Sequence, residues 1–183
     1  MHIYREVLKS LRLALKAKFF GMAVGIFLVV TLVTLLSAHF GGRQPLTVAL
    51  DVGFSTIRLL LPLLIVLLAQ ELLSREFDKR YYLNSLSYPR ARSRMLLGRF
   101  VAMLALLLGL LLALGLLQIG LVGFLGSIYT QATSVDIGQP YLIVMAFIAL
   151  DLVVLASLAT LLAVAASTPS FVLIGTFGFM LVA

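Results

Sequence analysis

The chain is 183 residues long, 62% hydrophobic and only 11% charged, with a mean hydropathy of +1.16. A soluble core could not hide that much apolar surface, so the composition excludes an ordinary soluble domain and places the chain among membrane proteins. The absence of cysteine excludes disulfides and cysteine-ligated metals, and the formal charge of +7 has to be read by where it falls.

Residues 1–18 carry five basic groups and one acid, residues 71–99 carry seven and three, and the remainder holds only Arg43, Arg58, Asp51, Asp136 and Asp151. Two basic segments separated by two membrane crossings fit the positive-inside bias for one cytoplasmic face. The charge therefore points to a multi-pass membrane protein with its N-terminus on the cytoplasmic side, in contact with membrane lipid and not with nucleic acid; a bacterial cytoplasmic (inner) membrane is the expected location.

In chain order, residues 1–18 read as an amphipathic interfacial helix, with Ile3, Val7, Leu11 and Leu15 opposite Arg5, Lys9, Arg12 and Lys16. The alternative is the basic start of a signal peptide. A first span is expected over 19–38, where Gly21 and Gly25 form a GxxxG pattern, either a packing contact or ordinary transmembrane glycine. Residues 39–45 read as an outer loop, and a second span over 52–73 contains Pro62, a candidate kink. A short helix over 75–86 would place Phe77 and Tyr81 on one side, and Pro89 would end or redirect it. A third span over 100–126 carries Gly109, Gly115, Gly120, Gly123 and Gly126, a small-residue composition suited to close packing. A polar outer loop over 127–140, a fourth span over 141–166 and a tight turn at 167–170 follow.

Residues 171–183 would rise about 20 Å as a helix, short of a hydrocarbon layer of about 30 Å. The expectation is a sequence that stops inside a fifth span, with a re-entrant segment as the alternative. The fold class is thus all-α: a polytopic membrane helix bundle with an interfacial N-terminal helix, four complete spans and the start of a fifth, forming one transmembrane domain over 1–183.

Arg58 and Asp151 fall inside apolar runs, where a charge is costly unless paired, snorkelled or wet. Counted from inner boundaries near Leu73 and Ala166, both lie about 22 Å up their helices. A direct pair, separate structural partners and a water-lined or substrate-facing position all remain open. Asp51 lies one heptad before Arg58, near the outer boundary, and Gln118 is either a hydrogen-bonding neighbour of the charges or a helix-packing contact.

No G-x-x-x-x-G-K-[ST], H-E-x-x-H or C-x-x-C pattern occurs, and His2 and His39 fall on opposite membrane faces in this topology. No catalytic, cofactor-binding or metal residues are therefore assigned, and the chain is not expected to be an enzyme.

The segment from 75 to 100, REFDKRYYLNSLSYPRARSRMLLGRF, is the densest in charge. A topology-setting cytoplasmic loop accounts for its composition. Its residues also resemble the ABC-2 type transporter permeases, which write this segment as Glu-x-x-x-Gly-Thr, a Leu-rich helix, Pro-x-x-Arg and Gly-Lys. Glu76 takes the acid position, Pro89-Arg-Ala-Arg92 matches Pro-x-x-Arg, and Gly98-Arg99 has arginine for lysine, while Arg80-Tyr81 departs from Gly-Thr. The motif covers residues 76–99 and the order of features covers the whole chain. The resemblance implies a six-helix permease that pairs with a second permease copy. It also implies a cytoplasmic ATPase subunit that binds ATP and Mg, with 75–88 as the coupling segment and Glu76, Tyr81, Tyr82, Pro89 and Arg92 as its coupling residues. The implied activity is export or flipping of a hydrophobic or amphiphilic substrate. The alternatives are an ion-coupled secondary transporter using Arg58 and Asp151, or a structural or assembly subunit of the membrane.

Overall fold

The computed structural model describes residues 19–69, 89–131, 135–165 and 169–182. The expected interfacial helix at 1–18, and Glu76, Tyr81 and Tyr82 with the short helix expected around them, lie outside the described residues.

Among the described residues five helices follow in order: α1 Phe20–Phe40, α2 Pro45–Ala69, α3 Pro89–Ile128, α4 Gln139–Ala165 and α5 Pro169–Val182. Among the described residues there is no strand. Four stretches of the described residues are long and apolar enough to cross a membrane: all of α1, α2 and α4, at 21, 25 and 27 residues, and the 33 residues Leu96–Ile128 of α3. Each exceeds the roughly 20 residues that a bilayer requires, and only helices or closed barrels satisfy their own backbone groups there. The chain is therefore an all-helical, polytopic membrane protein.

The helix limits follow from proline chemistry. Of the five prolines, Pro45, Pro89 and Pro169 open their helices, and Pro140 is the second residue of α4. A proline in the first turn loses nothing, because its missing N–H would have no partner there, and its fixed φ already suits a helix. Taken as loop or terminating residues, the same prolines put the start of the second span at 52 and of the third at 100. The helices begin seven and eleven residues earlier than that, at Pro45 and Pro89. Only Pro62 lies inside a helix, in α2. Between α1 and α2, Gly42 takes a left-handed φ of 56°. The Gly41 amide donates to the Ala38 carbonyl at 3.2 Å and the Gln44 amide to the Gly41 carbonyl at 3.1 Å, which closes the turn.

The chain divides into two compact units, one of Gly21–Leu61 and Leu108–Leu150, the other of Met1–Phe20, Pro62–Leu107 and Asp151–Ala183. In the first, Ala38, Ala49 and Leu125 are buried together with Leu46 and Tyr129 packed on them. A second cluster joins Leu50, Val122 and Tyr141, flanked by Phe54 and Met145. Small residues at such contacts let helix backbones approach, which matters in lipid because apolar burial itself gives little drive. In the other unit, buried apolar side chains come from α2 (Leu64, Ile65, Leu68), α3 (Ala102, Met103, Leu107) and α4 (Leu152, Ala156, Ala159). There α5 comes close to α4: a Cβ at Gly175 would stand 2.9 Å from a methyl of Leu162.

The glycine-rich composition of α3 does not make one packed face. Gly115 is closely covered, by Met145 and Tyr141, whereas around Gly109, Gly120 and Gly123 a Cβ would meet nothing within 4 Å. The same openness surrounds Gly21 and Gly25, so their spacing marks no contact within the described chain.

Candidate functional site

The surfaces of the helices in the first unit differ in chemistry. From Phe20 to Leu36 the exposed side chains of α1 are apolar, among them Leu28, Leu32 and Leu36, and so are those of α4 from Leu142 to Leu150, including Phe147. Both suit a hydrocarbon environment. On α2 between Pro45 and Leu61, the exposed residues are Asp51, Ser55, Arg58 and Leu59. Three of these four are polar, and their spacing of four and then three residues puts Asp51, Ser55 and Arg58 on one helix face.

Position makes that face costly. Arg58 stands thirteen residues from Pro45 and eleven from Ala69, close to the midpoint of α2. An arginine at a helix centre costs about 2.5–3.5 kcal/mol for insertion into lipid, so its head requires a polar setting. Arg58 has a partner, as does Asp151, which is half-buried in α4. Arg58 belongs to the first unit and Asp151 to the second. Nearer the Pro45 end, the Ser55 hydroxyl donates to the Asp51 carbonyl at 2.8 Å, which leaves its lone pairs and the Asp51 carboxylate as acceptors on the surface. The face thus offers acceptors towards Pro45 and guanidinium donors deeper in. Four residues beyond Arg58, Pro62 has no N–H to give to the Arg58 carbonyl, so the helix ladder is interrupted where the charge sits.

Behind the face, three helices meet at an amide. The Gln118 Nε2 donates to the Thr34 hydroxyl at 3.0 Å, and both side chains are fully buried. A Cβ on Gly53 would fall on the Gln118 amide, so glycine at that position of α2 is what admits it. The Gln118 Oε1 receives no donor among the described residues. Gln118 is thus a helix-packing contact, the second of the two roles open for it in the sequence.

At the Pro45 end, Gln131 spans the start of α2. Its Oε1 accepts from the Leu46 amide at 3.0 Å and its Nε2 donates to the Thr47 hydroxyl at 3.1 Å. One otherwise unpaired N–H of the first turn is thereby satisfied from a distant loop. Tyr141 is held in turn: its hydroxyl donates to the Gly115 carbonyl at 2.6 Å and its ring lies 5.2 Å from that of Phe54. The polar face of α2 is in this way backed by Gln118, capped by Gln131 and flanked by a fixed aromatic pair.

Of the sequence-derived coupling residues, Pro89 opens α3 and Arg92 follows in its first turn. Ser55 is a member of the polar face that sequence reasoning misses, although the spacing of Asp51, Ser55 and Arg58 is a signal that could find it. Placing Asp51 at the outer boundary is what separates it from Arg58. Compared with protein-family models, curated proteins and solved structures, the chain matches none. Its character therefore rests on its own helices: a multi-pass integral membrane protein of the transport type, with a polar face set into its apolar layer.

Proposed function

We propose that the chain is the transmembrane permease subunit of an ATP-driven ABC exporter of the ABC-2 type. In this reading it exports or flips a hydrophobic or amphiphilic substrate, paired with a second permease copy. Bond chemistry falls to a separate cytoplasmic ATPase that binds ATP and Mg, and the chain itself converts that energy into a change of helix arrangement.

The observation that supports this reading is the continuity of α3. Its 40 residues run unbroken from Pro89 to Ile128. The Pro-x-x-Arg motif at 89–92, the Gly98-Arg99 pair and the apolar span belong to one continuous helix. In this reading a displacement imposed on the basic end by a bound ATPase enters the span along the helix that carries both. Such a displacement shifts the bundle only if the ATPase binds its two arrangements with different affinities. Glu76, Tyr81, Tyr82 and Arg92 are the side chains proposed to make that difference.

The test is gentle purification of the full-length protein with co-expressed neighbours, followed by identification of stoichiometric partners. A nucleotide-binding subunit should co-purify with the wild-type chain and be lost or no longer stimulated by substrate in Glu76→Ala and Arg92→Glu. Full transport by the chain reconstituted without any ATPase would overturn the reading and leave the ion-coupled alternative.

A further inference from the structure

We propose that the polar face of α2 formed by Asp51, Ser55 and Arg58 is a headgroup subsite for a zwitterionic amphiphile, with its anionic group at Arg58 and its ammonium at Asp51. The proposal deepens the permease reading by naming a substrate class, and it rests on that reading only for why a headgroup enters the apolar layer.

Charge order carries the assignment. Asp51 and Arg58 are seven residues apart on one face, about 10 Å along the axis. Acceptors lie at the Pro45 end, namely the Asp51 carboxylate and the Ser55 lone pairs, and the donor fork of Arg58 lies deeper. A guanidinium recognises phosphate or carboxylate through paired hydrogen bonds. In a zwitterionic amphiphile whose tail occupies the hydrocarbon, the anionic group is the deeper of the two and the ammonium points towards water. The order of charges on α2 is complementary to that arrangement. A purely anionic headgroup would meet Asp51 as a like charge, and an uncharged one would offer neither charge a complement.

The surroundings agree with an amphiphile. Leu59 is exposed beside Arg58, while the exposed residues of α1 from Phe20 to Leu36 and of α4 from Leu142 to Leu150 are apolar. A molecule seated on α2 therefore has polar contacts for its head and apolar surface for its tail. Arg58 already has a partner, so the headgroup anion joins or displaces that partner when it binds.

The chain's lack of cysteine allows a clean test. Ser55→Cys is compared with Leu32→Cys, which lies on the apolar face of α1, each as the sole thiol of the full-length protein in proteoliposomes of phosphatidylglycerol. A water-soluble methanethiosulfonate present on both sides should modify Ser55→Cys at least about tenfold faster, and replacing half of the lipid by phosphatidylethanolamine should slow that modification about tenfold. Diacylglycerol at the same fraction should not slow it. Adding Arg58→Gln or Asp51→Asn should abolish the protection, and Arg58→Lys should keep part of it.

Equal rates at Ser55→Cys and Leu32→Cys would overturn the polar setting. Equal protection by diacylglycerol would overturn headgroup recognition, and equal protection by inorganic phosphate alone would show a water-soluble anion in place of an amphiphile. No ATPase takes part in the labelling, so failure here is distinguishable from failure to recover an ATPase partner.

Discussion

At the scale of single residues, Gly53 and Gln118 hold the clearest dependence. The Gln118 amide occupies the volume that any side chain at Gly53 would need, and it is fixed by its bond to Thr34. Gly53→Ala is therefore expected to destabilise the fold by about 1–3 kcal/mol through overpacking. Gly25→Ala, where a Cβ meets open space, should leave stability unchanged or slightly raised, because alanine is the better helix former. Reversible unfolding by detergent titration distinguishes the two, and equal effects would show that the amide moves aside freely. Sequence alone could find Gln118, since an amide in an apolar run stands out. Its partner Thr34 lies 84 residues away on another helix, and Gly53 is one of fourteen glycines, so neither contact has a local signature.

At the scale of elements, the spans are legible in the sequence because a long uncharged apolar run is stable in a bilayer and in little else, but their limits are not. Proline removes a donor and fixes φ, which reads as a stop when seen from the preceding residues and as a start when seen from the following ones. In this chain the second reading holds at Pro45, Pro89 and Pro169. A start needs its free N–H groups satisfied, and for α2 part of that comes from Gln131. Gln131→Ala should cost about 1 kcal/mol and raise amide hydrogen exchange at Leu46 selectively. Uniform change along α2 would argue against a capping role. Continuity of α3 is tested by Leu97→Pro, at an exposed position between Arg92 and the deeper part of the span. A proline within a helix interior costs about 3 kcal/mol and breaks its line. On the permease proposal, an ATPase partner should still co-purify, while stimulation of its hydrolysis by substrate falls at least about tenfold.

At the scale of the whole molecule, the all-helical, multi-pass architecture is readable from composition, since a chain with so little charge has no aqueous way to fold. The polar face of α2 is not, because burial decides which residues of a span look outward and hydropathy averages over all of them. Sidedness can be measured directly in a chain with no native thiol. Ser127→Cys at the end of α3 and Ser170→Cys at the start of α5 are both at exposed positions. With the basic segments inside, an impermeant thiol reagent should label the first in intact cells and the second only after permeabilisation. The opposite order would invert the topology and the direction of any transport drawn from it.

The sparse covering of α1 has a consequence for how the protein is made. Only 17% of its most apolar stretch is buried in the structure, so α1 is stable in lipid before its neighbours exist. Its buried hydroxyl at Thr34 waits for Gln118, 84 residues further along the chain. At synthesis rates of about 5–20 residues per second, that interval is roughly 4–17 s. During it, the Thr34 hydroxyl can turn back to a carbonyl of its own helix, as threonines in apolar helices do. The bond to Gln118 is therefore acquired late in assembly, and α1 is a helix that the membrane, not the protein, first holds in place.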